Sequence, residues 1–124
     1  NILMLYNMIN RYLIYERYEY WGKDGKTWTD WFRTFNTPYA KTEEEAKPIM
    51  KEMKKFASEC DKHTKLKHEF QIKLVDLETL PKMQIKYGKK GRPSKEEIEQ
   101  RKYEYDNYWK IFIENYDREN EANT

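Results

Sequence analysis

The pattern of hydrophobic and polar residues along the chain first predicts a β-hairpin. Residues Tyr12 to Trp21 are rich in Tyr, Leu and Ile, and Thr27 to Phe35 contain further residues that favour strands. The Asp24-Gly25 pair between them supplies residues that tolerate positive φ, and Pro38 ends the second strand region. Apolar and polar residues do not alternate cleanly in this hairpin, so aromatic side chains point to both of its faces.

A helix is predicted after the hairpin. Thr42 and Glu45 have the Thr-x-x-Glu spacing of a capping box, which predicts a helix from about Glu43 to Asp61. Pro48 lies in its opening turns and could delay the regular helix by one turn. The apolar positions recur at helical spacing and are Ala46, Ile49, Met50, Met53, Phe56, Ala57 and Cys60.

Strand character returns after a polar loop from Asp61 to Lys67. Phe70, Ile72 and Leu74 alternate with other residues, which predicts a third strand from Glu69 to Leu77. After the interruption at Leu80-Pro81, a short fourth strand is predicted from Met83 to Tyr87.

A second capping box, formed by Ser94 and Glu97, predicts a final helix that runs to about Asp117. Its apolar residues are Ile98, Tyr105, Tyr108, Trp109, Phe112, Ile113 and Tyr116. Their spacing places them on one helical face, so the helix should be amphipathic.

The order of these elements indicates an α+β fold. A small antiparallel sheet, made of the hairpin and a third strand, should carry one packed helix. The predicted organisation is a ββαβ domain over residues 1–80, a basic connector over 81–94, and a C-terminal helix with an acidic tail over 95–124. A chain of 124 residues suits one small domain of this kind.

Charge is unevenly distributed along the chain. The formal net charge of +2 is too small to argue for a nucleic-acid partner, so only the distribution can do so. Residues Lys82 to Lys95 contain six cations and no acid, whereas Glu114 to Glu121 contain four acids and one Arg. A basic segment therefore precedes an acidic end.

Cysteine content and hydropathy favour a cytoplasmic location. The single cysteine, Cys60, excludes an intrachain disulfide framework and fits a reducing compartment. We find no run of ~18 apolar residues and no secretory signal, so neither a membrane partner nor export is expected. Lys, Tyr, Asn and Ile are abundant relative to Gly and Ala, which favours an A/T-rich genome such as that of a bacterium or its phage.

The basic connector contains the sequence Lys89-Lys90-Gly91-Arg92-Pro93-Ser94-Lys95. Its Gly-Arg-Pro core with flanking cations resembles an AT-hook, in which an extended Gly-Arg-Pro lies in the minor groove of A·T-rich DNA. Lys90 stands where that family usually has Arg, which suits the narrow and negative groove better. The resemblance covers seven residues and implies no fold.

The AT-hook resemblance implies that Arg92 enters the groove while neighbouring lysines neutralise phosphates. The start of the last helix would offer backbone N–H groups to one more phosphate. The candidate nucleic-acid-binding residues are Lys86, Lys89, Lys90, Arg92, Ser94 and Lys95. The alternative is that this segment is only a solvated connector.

The aromatic residues of the hairpin also admit two interpretations. In the first, the helix after the hairpin covers one face of the sheet, and the last helix or a second copy of the protein covers the other. In the second, the aromatics form an exposed platform on which single-strand bases stack, each contributing ~1 to 3 kcal/mol.

Catalytic and metal-binding signatures are weak. The sequence contains no Gly-x-Ser-x-Gly, phosphate-cradling Gly-rich loop or Gly-x-Gly-x-x-Gly, so we predict neither an enzyme nor a cofactor. Cys60, Asp61, His63 and His68 are close in sequence, but their spacing matches none of the usual zinc patterns. We predict a buried thiol with surface imidazoles there, and no metal site.

The sequence favours a non-enzymatic nucleic-acid-binding accessory protein, encoded by a phage or mobile element. One alternative is a protein-binding inhibitor of a host defence nuclease complex, and another is a small structural or self-associating protein. Aromatic residues concentrate at interface hot spots, so a protein partner or a second copy could bind the last helix. The candidate partner-binding residues are Tyr105, Tyr108, Trp109 and Phe112, although these residues could equally pack on their own sheet.

Overall fold

A computed structural model of the protein describes residues 9–83 and 91–122. The chain forms two compact units, Asn10–Asp76 and a second composed of Asn1–Ile9 with Leu77–Thr124. Each unit is described in turn. Among the described residues, no helix has both the length and the apolar character needed to cross a bilayer.

The first unit is built around a four-stranded antiparallel sheet. Its strands are β1 (Asn10–Gly22), β2 (Gly25–Trp28), β3 (Phe32–Arg33) and β4 (His68–Asp76). The long strand β1 pairs with β4 along one edge and with β2 and β3 along the other. Together with the helices described below, this sheet confirms the predicted α+β class.

The hairpin formed by β1 and β2 is confirmed, but its second strand is shorter than predicted. Gly25 has a φ of +114°, so the tight turn needs glycine there. At Thr29 the side-chain Oγ1 accepts the N–H of Tyr18 at 3.1 Å, in place of a backbone carbonyl. This interrupts the regular ladder, so the predicted strand from Thr27 to Phe35 becomes two short strands, β2 and β3.

Helix α1 (Glu43–Asp61) has the predicted bounds. The Thr42 Oγ1 accepts the N–H of Glu45 at 3.2 Å, and the Glu45 carboxylate accepts the N–H of Lys41 at 3.2 Å. The capping box thus reaches one residue further back than its usual form. Pro48 lies within the helix without delaying its start.

Helix α1 packs against β4 and β1 with only part of its predicted apolar face. Ala46 and Ala57 are buried, and Ile49, Met50 and Met53 are half-buried. Phe56, which belongs to the predicted apolar face, and Cys60, which was predicted to be buried, are both exposed. Helical spacing gives the direction in which a side chain points, but not whether the sheet extends far enough to cover it.

The core of the sheet lies at the middle of β1. Leu13 and Ile14 are adjacent and both are fully buried. Because neighbouring side chains of a strand point to opposite faces, both faces of the sheet are covered at this point. The centre of β1 therefore cannot form the exposed aromatic platform, and only the ends of the strand could do so.

The third predicted strand is confirmed with a shift of one residue at each end. Strand β4 begins at His68 and ends at Asp76, because Leu77–Thr79 forms a 3₁₀ helix. The predicted strand from Met83 to Tyr87 lies outside the described residues, except for Met83, which has no regular structure.

The second unit contains two helices where one was predicted. Helix α2 (Lys95–Asp106) begins at the predicted N-cap, Ser94, whose Oγ accepts the N–H of Glu97 at 3.2 Å. Helix α3 (Tyr108–Ala122) follows after Asn107. The Asn107 side chain donates to the Tyr103 carbonyl at 3.0 Å, and such local side-chain bonds compete with helix continuation.

The two helices of the second unit differ in burial. Among the described residues, none of those in α2 is fully buried, so this helix is not amphipathic as predicted. In α3, Trp109 and Ile113 are buried, and the Trp109 Nε1 donates to the Leu80 carbonyl at 3.2 Å. This bond ties α3 to the segment that follows the 3₁₀ helix.

Candidate nucleic-acid interface

The structure describes only part of the predicted basic site. Lys86, Lys89 and Lys90 lie outside the described residues. Arg92 and Lys95 are exposed at the start of α2, as is Ser94, whose hydroxyl is already engaged as the N-cap.

A second group of cations lies where α1 ends, near the hairpin. We call it the lysine patch, and it consists of Lys26, Lys54, Lys62, Lys65 and Lys67. The Lys26 ammonium donates to the Lys65 carbonyl at 3.2 Å, which joins β2 to the loop between α1 and β4. Residues from three separate parts of the sequence are thereby brought together.

The loop that carries three of these lysines has a fixed conformation. The Thr64 N–H and hydroxyl both donate to the Asp61 carbonyl, at 3.1 and 3.0 Å, and the Thr64 Oγ1 accepts the N–H of Leu66 at 3.3 Å. Lys65 has a φ of +58°, and Lys67 exchanges two 2.8 Å hydrogen bonds with Glu19 of β1. The lysines therefore project from an ordered turn beside the hairpin.

Part of the lysine patch surrounds a depression of about 460 Å³. Its lining includes Lys54, Lys62 and Lys67, together with Ser58, and all four are exposed. Ammonium groups and a hydroxyl are suitable donors to the oxygen atoms of a phosphate. The depression therefore has the composition of an anion-binding surface.

The acids that line the same depression each lie next to a side chain other than the lysines of the patch. The Glu69 carboxylate pairs with the Arg17 guanidinium at 3.1 Å, and the Asp61 carboxylate lies 3.6 Å from His68 Nδ1. Within residues 9–83 and 91–122, no lysine of the patch forms an ion pair. The patch therefore carries positive charge that is not paired with an acid of the described residues.

An exposed aromatic side chain adjoins the patch. Trp21 is 66% exposed, and it pairs with Lys26 across the β1–β2 ladder. The Lys26 ammonium lies 5.4 Å from the centroid of the Trp21 ring. Tyr20 is also exposed, and it points to the opposite face of the hairpin. The end of the hairpin therefore presents an indole beside a cationic surface.

Other aromatic residues of the hairpin are engaged within the unit. The Arg17 guanidinium lies 4.5 Å from the ring centroid of Trp28 and 4.9 Å from that of Trp31. Both tryptophans are half-buried, and the same guanidinium pairs with Glu69. This cation–π arrangement fixes the connection between β2 and β3 to the sheet, so Trp28 and Trp31 are less available for stacking than Trp21.

The predicted partner-binding residues have different environments. Tyr105 is exposed and its ring lies 4.4 Å from the Lys82 ammonium, whereas Trp109 is buried. Tyr108 and Phe112 are half-buried and stack at 6.3 Å along α3. Trp109 thus packs within its own unit, and Tyr105 is the most accessible of the four.

The prediction of a buried Cys60 thiol is wrong, because Cys60 lies on an exposed part of α1. His68 is flanked by two carboxylates, with Nε2 3.7 Å from Glu16 and Nδ1 3.6 Å from Asp61. Its ring stacks on Phe70 at 4.6 Å. Among the described residues, no three His, Cys, Asp or Glu side chains are grouped so that they could hold a metal ion.

The sequence analysis missed the lysine patch. The signal was present, because residues 62–67 contain three lysines and no acid. Its proximity to Lys26 and Trp21 depends on the antiparallel pairing of β1 with both β2 and β4, which the loop composition does not reveal. In comparisons of the chain with protein-family models, curated proteins and solved structures, nothing matched.

Proposed function

We propose that the protein is a non-enzymatic accessory protein that binds single-stranded nucleic acid through the lysine patch and Trp21. The observation that carries this proposal is a set of lysines without ion-pair partners, placed beside an exposed indole. Proteins that bind single strands combine a cationic surface that follows the backbone with aromatic rings on which bases stack.

Each part of the site has a chemical role in this proposal. Lys54, Lys62 and Lys67 neutralise successive phosphates, and the Ser58 hydroxyl donates to one phosphate oxygen. A base stacks on Trp21, which adds ~1 to 3 kcal/mol without selecting a sequence. Lys26 belongs to the lysine patch and its ammonium lies 5.4 Å from the centroid of the Trp21 ring, so it connects the phosphate contacts to the stacking contact.

The AT-hook-like segment fits the same function as a second contact. Arg92 is exposed, and an Arg that enters a narrow minor groove prefers A·T-rich duplex. The two contacts differ in substrate, because the lysine patch with Trp21 would favour unpaired bases. The proposal includes a phage or mobile-element origin, supported by the coding composition, and a location in the host cytoplasm, supported by the single cysteine.

Fluorescence anisotropy tests the proposal directly. Labelled dT20, A·T-rich duplex and G·C-rich duplex are titrated with the full chain at 50 and 200 mM salt. We expect dT20 to bind most tightly, and the logarithm of its affinity to fall linearly with the logarithm of the salt concentration, with a slope of about −0.7 per neutralised phosphate.

Matched variants assign the binding site. The Lys62→Glu/Lys67→Glu variant should lose dT20 binding, whereas Lys102→Glu/Lys110→Glu, with the same change of charge on exposed positions of α2 and α3, should retain it. Duplex preference that Arg92→Ala removes would place the site at the basic connector instead. Absence of binding at 50 mM salt would refute the proposal and favour a protein partner, such as a host defence nuclease complex.

A further inference from the structure

An open groove lies between α1 and the sheet of the first unit, with a volume of about 670 Å³. We call it the α1 groove. Phe35 and Phe56 line it and are 86% and 73% exposed, while Met53 and Phe70 are half-buried within it. Exposed apolar side chains that are grouped in this way are characteristic of interaction surfaces.

The α1 groove also contains two buried polar atoms that form no hydrogen bond to the part of the chain that the structure describes. Thr34 is only 8% exposed, and its Oγ1 is buried without a hydrogen bond to any described residue. The Nε2 of His68, which lines the same groove, likewise makes no hydrogen bond to a described residue, although it lies 3.7 Å from the Glu16 carboxylate. Both atoms are closed to solvent, so an occupant could bond to them only after the side chains rotate towards the groove.

The charged residues that line the α1 groove are acidic. They are Glu16, Glu52 and Asp61, and the lining contains no Lys or Arg among the described residues. Exposed Glu52 lies on the same helix as the two apolar residues Met53 and Phe56. An occupant with a positive charge next to an apolar group would therefore complement this groove.

We propose that the α1 groove binds a segment of a partner protein that presents an apolar side chain next to Lys or Arg. The apolar side chain packs against Phe35 and Phe56, which are aromatic as interface hot spots commonly are. The cation faces Glu52.

The openness of the site favours a polypeptide over a small molecule. Small-molecule pockets enclose most of the surface of their ligand, whereas the two phenylalanines of this groove remain largely exposed. A peptide can extend beyond the groove and cover both of them. This inference is independent of the proposed nucleic-acid site, because Phe35, Phe56 and Glu52, on which it rests, do not line the depression of the lysine patch.

Selection from a random peptide library tests the proposal, because the library samples many combinations of apolar and cationic side chains at once. Dodecapeptides displayed on phage are selected on the immobilised full chain, and the enriched peptide is synthesised and titrated by fluorescence anisotropy. We expect a consensus with a Phe, Leu or Met next to Arg or Lys. Failure to enrich a consensus, or a consensus that lacks the cation, would overturn the proposal.

Paired variants locate the peptide on the surface. Phe56→Ser and Glu52→Lys should each weaken peptide binding at least tenfold. The controls Ile98→Ser on α2 and Glu59→Lys on α1, which are also exposed and lie outside the groove lining, should leave it unchanged. Equal binding by all four variants would show that the peptide binds elsewhere.

A second copy of the chain is the competing occupant, and light scattering distinguishes it. The proposal expects a monomer mass across concentrations from 5 to 500 μM (about 0.1 to 8 mg/mL). A dimer that forms with rising concentration and that Phe56→Ser abolishes would replace the partner segment with a second copy. Because Phe56 and Glu52 are both exposed, these variants should fold, and Glu52→Lys provides a test that does not depend on Phe56.

Discussion

The lysine patch and the α1 groove share the last turns of one helix but differ in chemistry. The patch has lysines without ion-pair partners and a single exposed indole, whereas the groove has exposed phenylalanines and three acids. Ala57, Asp61 and His68 line both sites. Because the two surfaces have opposite charge, a ligand that binds one should not bind the other. A variant of one surface should therefore change the affinity for one ligand only.

The largest expected effect is a loss of stability of the sheet on which both surfaces depend. Leu13 is fully buried in β1, which pairs with all the other strands, so Leu13→Ala should lower the free energy of unfolding by about 2 to 5 kcal/mol. Urea denaturation measures this change. Leu74→Ala is the matched control on β4, and its exposed side chain should make the loss much smaller.

Trp21 should distinguish the two surfaces. Trp21→Ala should weaken binding of dT20 by about 1 to 3 kcal/mol, because a stacked base is lost. It should not affect the peptide selected on the α1 groove, and anisotropy with both ligands measures the difference. Tyr103→Ala removes a similarly exposed aromatic from α2 and should change neither affinity. A parallel loss of both ligands would show that the surfaces are coupled.

The cap of α1 should affect the helix that both surfaces share. Thr42→Ala removes the acceptor for the Glu45 N–H and should lower the free energy of unfolding by about 1 kcal/mol. Thermal unfolding followed by circular dichroism measures this change. Thr42→Ser should restore most of the stability, because serine supplies the same hydroxyl. An equal loss in the serine variant would assign the effect to packing.

The smallest expected effect is a change in salt dependence. Lys67→Ala removes one phosphate contact, so the slope of the logarithm of dT20 affinity against the logarithm of salt concentration should become shallower by about 0.7. Peptide binding at the α1 groove should not change. Titration at four salt concentrations measures the slope, and an unchanged slope would show that Lys67 does not contact a phosphate.

Local signals in the sequence predicted where the helices begin. Thr42 and Ser94 were both identified from short capping patterns, and both accept the expected N–H bonds. The end of the last helix was harder to predict, because Asn107 interrupts it through a side-chain bond to Tyr103 that depends on local geometry. The break between β2 and β3 likewise involves a side-chain hydrogen bond, which the Thr29 hydroxyl accepts.

The two surfaces could not be predicted from the sequence, because each depends on packing between distant segments. Lys26 and Lys65 meet only when β1 pairs with β2 and with β4. The spacing of α1 placed Phe56 among its apolar residues, but the exposure of Phe56 depends on how much of the sheet lies beneath it. Strand β3 has only two residues, a length set by hydrogen bonds that no periodicity reveals.

The arrangement of Arg17 between Trp28 and Trp31 has an optical consequence. The chain has four tryptophans, and the other three are buried or half-buried, so Trp21 is the indole most accessible to a solution quencher. Acrylamide should therefore quench chiefly the long-wavelength emission of Trp21. If a strand covers this ring, the protein reports occupancy of the lysine patch through its own fluorescence, without an added label.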